Sequence, residues 1–371
     1  MKFLKHIFIF LAVFTLTFLG IEAYLQVTEI DIAYHELDAR NGKKLQKDRR
    51  IVMLKEGFYL GRSNAYGYLG HPYPPEKPEG VFRIALMGDS YAEGFQVFEK
   101  DHYFRILEEE LRRITGKEVQ VLNFGSGDFN FQDMYRYYLN FAAEYNPDLV
   151  LYALEPERFR DRPAYFIPSP YFYLEGDSLK INYEFTEKPA FQNYNRFKWL
   201  METSSTVKMA LNAYKMVSKG HAPRIIFDKF YFMLNPVREK DPLDPSDDVI
   251  KEIEISPITQ RIINDLGQDE RVYLLGRNQF SPSLLQNLEN AGLPLIHADD
   301  TLKVMVAARR DPHYWKATSK RGHWNHEAHE TLGHYLAHRI APLILQPAPV
   351  TIPDTLTVSP DSLAGDSIIA Q

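Results

Sequence analysis

Short apolar runs alternate with amphipathic stretches through the middle of this chain. The apolar runs have the length and composition of strands buried on both faces of a sheet, and the stretches between them repeat apolar side chains at helical spacing. Strand, helix, strand, helix, strand with short turns predicts a parallel α/β sheet with right-handed crossovers. The predicted strands are residues 81–87, 119–124 and 148–154, and the predicted helices are residues 102–114 and 131–145.

Residues 156–268 interrupt this alternation. Within them, residues 171–185 have a hairpin pattern, residues 197–217 favour a helix, and residues 236–248 are rich in Pro and Asp. We interpret the block as an insertion over the carboxyl ends of the strands, a candidate lid or substrate cradle. The sheet is then predicted to resume, with strands at residues 271–275 and 293–297 and helices at residues 283–291 and 325–345.

The two ends of the chain differ from its middle. Lys2 and Lys5 precede an uncharged apolar run at residues 7–21, and acidic residues follow from Glu22 onward. This order predicts a single-pass membrane helix with its N-terminus inside and the rest of the chain outside the cytoplasm. No small-x-small cleavage site follows, so we expect an uncleaved anchor rather than a signal peptide. The expected domains are an anchor at 1–27, a polar membrane-proximal segment at 28–80, an α/β domain at 81–345 and a disordered tail at 346–371.

Composition narrows the function classes. A net charge of −6 argues against nucleic-acid binding, which normally requires a basic stripe. The chain has no Cys, which excludes disulfides, thiolate metal sites, a Cys nucleophile and a lipoprotein attachment site. Its 23 Tyr and 24 Phe supply ring surface that suits carbohydrate or lipid contact, and a Tyr-rich core explains them equally well.

Three polar motifs fall where sites in parallel α/β sheets lie. Ser90 follows the first strand in a Gly-Asp-Ser turn, Gly127 follows the second strand, and His323 precedes the last helix. A serine hydroxyl becomes a good nucleophile when a base such as histidine accepts its proton, and the tetrahedral intermediate needs donors aimed at its negative charge. The motifs favour Ser90 as nucleophile and His323 as base. The simpler alternative is that Asp89 and Ser90 only form a turn and cap a helix.

Three blocks of the sequence resemble the SGNH (GDSL) hydrolase family. RIALMGDSYAEG at residues 83–94 resembles the first block, VLNFGSGD at 121–128 the second, and GHWNHEAH at 322–329 the last. The resemblance implies a flavodoxin-like three-layer sandwich with a parallel sheet, and a serine enzyme that needs neither cofactor nor metal. The implied site residues are Ser90 and His323 for catalysis, the N–H groups of Ser90 and Gly127 as the oxyanion hole, and Asp89, Glu157, Trp324 and Asn325 for substrate binding.

Two positions depart from the family's pattern. Glu157 stands where the family has an Asn that donates to the oxyanion, and an ionised carboxylate there would repel that charge. The family's Asp, two or three residues before the His, is replaced by basic residues. Asp311 is the nearest acidic candidate to orient His323, and a backbone carbonyl is an alternative. Asp311 and His313 as an Asp-x-His pair remain a second possible alignment.

The resemblance implies a serine esterase or O-acyltransferase that acts through an acyl-Ser90 intermediate. An anchored enzyme outside the cytoplasm suggests an acyl ester or acylated surface polysaccharide as its substrate. The alternative, favoured by the two departures, is a catalytically impaired SGNH-fold protein that binds glycan or acts as a scaffold. A metal-dependent hydrolase built on the last helix is a third possibility, although HEAHE is one residue short of HExxH.

Overall fold

A computed structural model describes residues 2–28, 34–53, 56–161, 169–218, 250 and 252–345 of the chain. The predicted tail at 346–371 and the loop at 236–248 lie outside the described residues.

The N-terminal region begins with the helix α1 (Lys2–Thr28). Its segment Phe3–Val27 contains an 18-residue stretch with a mean hydropathy of 2.1 and no buried residue, so α1 is long and apolar enough to cross a bilayer. The membrane-proximal segment, predicted only as polar and turn-rich, contains two antiparallel hairpins. They pair β1 (His35–Asp38) with β2 (Gly42–Leu45), and β3 (Arg50–Met53) with β4 (Tyr59–Arg62).

The rest of the described chain alternates strands and helices. The strands are β5 (Phe82–Gly88), β6 (Val119–Asn123), β7 (Leu149–Leu154), β8 (Tyr171–Glu175), β9 (Ser178–Asn182), β10 (Val272–Gly276), β11 (Leu295–His297), β12 (Tyr314–Trp315) and β13 (Lys320–Arg321). The helices are α2 (Ser90–Glu93), α3 (Tyr103–Thr115), α4 (Phe131–Asn140), α5 (Pro189–Thr203), α6 (Ser205–Ser218), α7 (Pro257–Leu266), α8 (Pro282–Asn290), α9 (Ala298–Ala307) and α10 (His326–Leu345).

Five of these strands form a parallel sheet in the order β11-β10-β7-β5-β6. This is the 2-1-3-4-5 order of flavodoxin-like sheets, and it confirms the predicted parallel α/β architecture. Every residue of β6 and β7 is buried, which explains the unbroken apolar sequence of β7 and the mostly apolar sequence of β6. In such an order the direction in which strands are added reverses between β5 and β7, so the carboxyl end of β5 opens on a crevice where a site can form.

Helices cover both faces of the sheet. The helices α3, α9 and α10 pack on one face, and α4, α7 and α8 pack on the other. Each face has its own cluster of buried apolar side chains. In strand β7, Leu149 and Leu151 belong to the cluster under α3, α9 and α10, and Val150 and Tyr152 belong to the cluster under α4, α7 and α8. Each fully buried Leu or Ile side chain stabilises the fold by roughly 1.5–3 kcal/mol, so the two clusters fix the sheet between its helices.

Several helices differ from the predicted ones. The single helix predicted at 197–217 is two helices, α5 and α6, which meet at Ser204, where the backbone is extended. The helix predicted at 131–145 ends at Asn140 and continues as a 3₁₀ turn. The helix α9 was not predicted. The predicted hairpin at 171–185 is present as β8 and β9.

Candidate active site

Ser90 stands at the carboxyl end of β5, at the first position of the short helix α2. Asp89 caps this helix, since its side chain accepts a hydrogen bond from the Tyr91 N–H at 3.0 Å. The cap and the buried strand behind it hold the serine at the sheet edge. Ser90 itself stays partly exposed there, so its hydroxyl is open to a substrate.

His323 reaches Ser90 from the segment just before α10. Its Nε2 lies 2.8 Å from the Ser90 Oγ, although the two residues are 233 positions apart. The ring packs against Tyr91, with ring centroids 4.5 Å apart, and the His323 carbonyl accepts from the indole N–H of Trp315 at 2.9 Å. The predicted convergence of the first strand's turn with the start of the last helix is therefore present in the structure.

The other nitrogen of His323 meets Glu56, a residue that the sequence analysis did not single out. The His323 Nδ1 lies 2.8 Å from the Glu56 Oε2, and the His323 backbone N–H donates to the same oxygen at 2.7 Å. Glu56 sits between β3 and β4 at the tip of their hairpin, and its carbonyl accepts from the Thr318 hydroxyl at 2.7 Å. Glu56 is thus held at its carboxylate by His323 and at its backbone carbonyl by Thr318.

Gly322 makes room for this carboxylate. A Cβ at this position would lie within 2.5 Å of all three carboxyl atoms of Glu56. No side chain fits there without moving Glu56, which gives a physical reason for the Gly in the Gly-His-Trp-Asn motif. Gly57 serves the hairpin tip similarly, because a Cβ there would clash with the Gln96 carbonyl and the Trp315 ring.

Hydroxyl, imidazole and carboxylate form a continuous hydrogen-bonded line. With a proton on Nδ1 bonded to Glu56, the Nε2 lone pair of His323 faces the Ser90 hydroxyl and can accept its proton. The side chains of His323 and Glu56 are 26% and 21% exposed, so the line lies at the surface of a cleft rather than in the core. This arrangement can activate a serine for attack on a carbonyl carbon.

Asp311 does not take the position that the sequence analysis gave it. Its carboxylate pairs with the Arg321 guanidinium at 2.8 Å and accepts from the backbone N–H of His313 at 2.9 Å. The alternative Asp311–His313 pair is not a side-chain pair either, because the His313 Nδ1 bonds to the Gly322 carbonyl at 2.8 Å. The carboxylate on the catalytic imidazole comes instead from a hairpin 267 residues away in the chain, which no local motif indicates.

The loop at residues 125–128 lies beside α2, at the end of β6. A Cβ on Gly125 would fall 2.5 Å from the Glu93 backbone nitrogen, so only glycine lets the loop approach α2 this closely. Within the described residues, neither the Ser90 N–H nor the Gly127 N–H donates to a protein acceptor. Both groups are thus free to serve as the predicted oxyanion donors, and that role remains a prediction.

The hairpin β1–β2 holds this loop from the opposite side. The Lys43 Nζ donates to the Gly127 carbonyl at 2.8 Å, and the His35 Nε2 lies 3.2 Å from the Ser126 Oγ. The same Nε2 is 3.2 Å from the buried carboxylate of Glu93. Burial lowers the pKa of His35 below its usual value, so the ring is neutral near pH 7.

Asp89 plays a different part from the substrate contact that was expected. It has no exposed surface, and its Oδ2 bonds Arg277 at 2.6 Å and lies 2.8 Å from the Nε of Arg158. Its other oxygen caps α2. A carboxylate so enclosed cannot meet a substrate, and Asp89 instead ties the nucleophile's turn to the two arginines.

A cavity of about 450 Å³ opens next to the Ser90–His323 pair. Its walls include Tyr91, which follows Ser90 in the chain, and Trp324, which follows His323. The described part of the insertion at residues 156–268 contributes no residue to these walls. In one wall the Arg277 guanidinium stacks over the Tyr91 ring, 3.9 Å from the ring centre. Six of the residues around the cavity are Tyr91, Glu155, Arg277, Asn278, His313 and Trp324.

Of the other residues expected to contact substrate, Trp324 borders the cavity, whereas Asn325 and Glu157 are not among the residues that line it. Trp324 borders this cavity but is only 1% exposed, so it mainly packs in the core against Tyr91. Asn325 has a structural role instead, because its side chain accepts from the Ala328 N–H and caps α10. Glu157 lies in a 3₁₀ turn after β7, and its carboxylate makes no hydrogen bond or ion pair with the described residues. The neighbouring Glu155 reaches the cavity in its place.

The histidines of α10 do not converge. Among the described residues no group of three or more His, Cys, Asp or Glu side chains is arranged to hold a metal ion. His329 is buried beside Tyr103, whose backbone N–H donates to its Nδ1 at 3.2 Å, while His334 pairs with Glu110 at the surface. These contacts explain two of the four histidines as parts of the packing and of the helix surface.

Comparison with known proteins adds little to this geometry. No family model matches the chain, and no curated protein matches it. A solved structure assigned to the G-D-S-L family of lipolytic proteins, from Desulfitobacterium hafniense DCB-2, is similar to it over 69% of this chain and 98% of the other, with 12% identity and a TM-score of 0.27. So low a TM-score carries no argument about function. The functional assignment therefore depends on the site itself.

Proposed function

We propose that this protein is a serine esterase or O-acyltransferase that works through an acyl-Ser90 intermediate. The observation that carries the proposal is the line from the Ser90 Oγ to the His323 Nε2 and from the His323 Nδ1 to Glu56, with both distances 2.8 Å. The resemblance of three sequence blocks to SGNH hydrolases supports the same chemistry.

The proposed reaction begins when the Ser90 oxygen attacks the ester carbonyl carbon and its proton passes to the His323 Nε2. The carbonyl oxygen becomes an oxyanion, for which the N–H groups of Ser90 and Gly127 are the proposed donors. The carbon–oxygen bond to the leaving alcohol then breaks, and that alcohol takes the proton from His323. Water or a sugar hydroxyl next gives its proton to His323 and attacks the acyl carbon. The bond from the acyl carbon to the Ser90 oxygen then breaks, and that oxygen takes the proton back from His323.

Glu56 supports both steps by holding the imidazole and stabilising its positive charge after each proton transfer. The alternative, a catalytically impaired binding or scaffold protein, was favoured by the missing Asp before His323. Glu56 supplies a carboxylate at that position of the ring, which removes one of the two arguments for the alternative. Glu157 remains the other, since a glutamate stands where the family has its Asn.

We further propose that α1 spans the membrane with its N-terminus inside, so that the catalytic domain lies outside the cytoplasm. An acyl ester at or near that surface, such as an acylated polysaccharide, is the proposed substrate. The apolar helix and the order of charges around it support this location. The predicted lid role of the insertion also remains a proposal.

Labelling with a fluorophosphonate probe tests the enzymatic proposal. The wild-type protein is expected to form one covalent adduct, because the probe reacts with a serine that a base activates. Ser90→Ala should abolish labelling, while Ser126→Ala, a change at the other serine beside a histidine, should leave it intact. Wild-type protein that folds but does not react would contradict the proposal.

A further inference from the structure

The helix α6 exposes an apolar surface that nothing in the described chain covers. Met209, Ala213 and Val217 follow one another at four-residue spacing, and Ala210 and Tyr214 lie next to them, so the five side chains share one side of the helix. We call this side the apolar face of α6. Met209, Tyr214 and Val217 are 42%, 69% and 65% exposed, and both alanines are exposed as well.

The start of α6 is fixed to the end of the apolar segment of α1. The Glu22 carboxylate accepts hydrogen bonds from the backbone N–H groups of Ser205 and Thr206, at 2.8 and 2.9 Å, and from the Ser204 hydroxyl at 2.8 Å. These bonds satisfy N–H groups that a helix start leaves without partners. Leu25, one turn further along α1, is 7% exposed. The junction of α5 and α6 is therefore attached to α1 near its C-terminal end.

This attachment fixes the position of the start of α6 relative to the membrane that α1 is proposed to cross. Glu22 is the first acidic residue after the apolar run, so it marks where α1 leaves the hydrocarbon and enters the headgroup region. A helix that begins there with an exposed apolar side is positioned like an interfacial helix, which buries that side at the boundary of headgroups and acyl chains. Tyr is also among the residues enriched at that depth.

We infer that the apolar face of α6 lies on the same bilayer that α1 crosses. The inference rests on the proposed membrane location of α1 and is independent of the chemistry at Ser90. A single helix leaves a domain free to rotate and tilt, whereas α1 and α6 together give the protein two contacts with the membrane. The hairpin β1–β2 is tied to α5 through the Lys198–Glu36 pair at 2.9 Å, so this second contact would fix the catalytic domain relative to the lipid surface.

Because the chain has no Cys, single cysteines can report the depth of chosen positions. Tyr214→Cys and Val217→Cys, each in the full chain and labelled with an environment-sensitive fluorophore, would be reconstituted in vesicles of phosphatidylcholine and phosphatidylglycerol. Leu16→Cys, 70% exposed on α1, is the membrane reference, and Glu330→Cys, exposed on α10, is the aqueous reference. All four sites are exposed, so the substitutions leave the core intact.

The readout is fluorescence quenching by a nitroxide carried on the lipid chain. We expect quenching at 214 and 217 to approach that at 16 and to exceed that at 330 several-fold. Quenching at 214 and 217 equal to that at 330 overturns the inference. Emission shielded from water but not quenched by the lipid nitroxide also overturns it, because protein then covers the face. If position 16 itself is not quenched, the membrane location of α1 fails as well.

Discussion

The described residues include two serine–histidine–glutamate groups, of which one uses Ser90 and the other Glu93 of the short helix α2, and they are built differently. In the first, Ser90 and Glu56 contact opposite nitrogens of His323, each at 2.8 Å. In the second, Ser126 and Glu93 both lie 3.2 Å from the same Nε2 of His35. The imidazole can accept a proton from the serine only where the carboxylate bonds the opposite ring nitrogen. A nitrogen whose N–H faces the carboxylate has no lone pair left for the serine hydroxyl. The same three residue types therefore give a catalytic line in one place and a structural cluster in the other.

The membrane-proximal segment contributes to both groups. Its hairpin β3–β4 supplies Glu56 to the base, and its hairpin β1–β2 supplies Lys43 and His35 to the loop at residues 125–128. The α/β domain contains the nucleophile and the base but lacks the carboxylate that bonds the far nitrogen of the base. We expect this segment to be required for activity, and the variants below separate its two contributions.

The largest difference between the two groups should appear at their serines. Ser90→Ala is expected to lower kcat/KM for an acyl ester by about 10⁴-fold or more, because the nucleophile is lost. Ser126→Ala should change it by less than about threefold, since its hydroxyl only contacts a neutral ring. Steady-state hydrolysis of a p-nitrophenyl ester measures both. Equal losses in the two variants would contradict the distinction.

Glu56→Gln is the next test. An amide keeps the size of the side chain but cannot stabilise the imidazolium, so kcat should fall by about 10²–10⁴-fold with little change in KM. Asp311→Asn is the matched control, because that carboxylate pairs with Arg321 instead of His323. Activity of both variants is measured with the same ester. Loss of activity in Asp311→Asn alone would return the orienting role to Asp311.

Gly322→Ala changes the same contact without altering any charge. Its Cβ would lie within 2.5 Å of the Glu56 carboxyl, so the carboxylate has to move away from the His323 ring. We expect kcat to fall about 10–10²-fold, since such a displacement spoils the alignment of the base. The double variant Gly322→Ala/Glu56→Gln should be no slower than Glu56→Gln alone. Additive losses would mean that the glycine acts elsewhere.

Lys43→Met tests the support of the proposed oxyanion loop. Removing the donor to the Gly127 carbonyl should loosen the loop and lower kcat about tenfold, with fluorophosphonate labelling slowed in proportion. Lys47→Met, at an exposed lysine of the same segment, is the control. Identical rates for both variants and the wild type would remove Lys43 from the account.

The smallest expected effect concerns His35 and the stability of the fold in acid. Burial lowers the pKa of His35 in the native state, whereas the unfolded chain keeps a value near 6.5. The unfolded state therefore binds the proton first, and stability falls as the pH drops below about 6.5, by at most about 1.4 kcal/mol per pH unit from this group. Glu93 and Asp128 oppose the shift and Lys43 adds to it.

His35→Gln removes this titration. Thermal unfolding at several pH values should show a shallower loss of stability below pH 6.5 in the variant than in the wild type, while activity near pH 7 stays within about twofold. A steeper loss in the variant would mean that His35 stabilises the fold in its protonated form.

The sequence was sufficient for the sheet and for the serine–histidine pair. Buried parallel strands are predominantly apolar, and the bounds of β5, β6, β7 and β10 fall within one residue of those predicted. Ser90 and His323 each lie within a short sequence motif, Gly-Asp-Ser and Gly-His-Trp-Asn, that can be recognised from neighbouring residues alone. Both belong to element ends that a parallel α/β sheet brings to one edge.

Glu56 could not be found in this way. It lies in a hairpin tip with no motif, and its partner is 267 residues further along the chain. Asp311 was favoured because it is close in sequence, and the structure shows that Arg321, one of the basic residues before His323, occupies it instead. Asn325 caps α10 instead of facing a substrate, which fits the preference for Asn at the residue before a helix. Gly322 was the available signal, because a glycine beside a catalytic histidine leaves space for another group.

The most direct test is to find where an acyl group resides during turnover. The protein is mixed with an activated acyl ester, quenched in acid within the first turnover and digested, and the acylated peptide is identified by mass spectrometry. The account predicts the acyl group on Ser90 in the wild type, a much lower yield in Glu56→Gln, and none in His323→Gln. An acyl group on Ser126, or an unmodified Ser90 peptide while product is released, would contradict it.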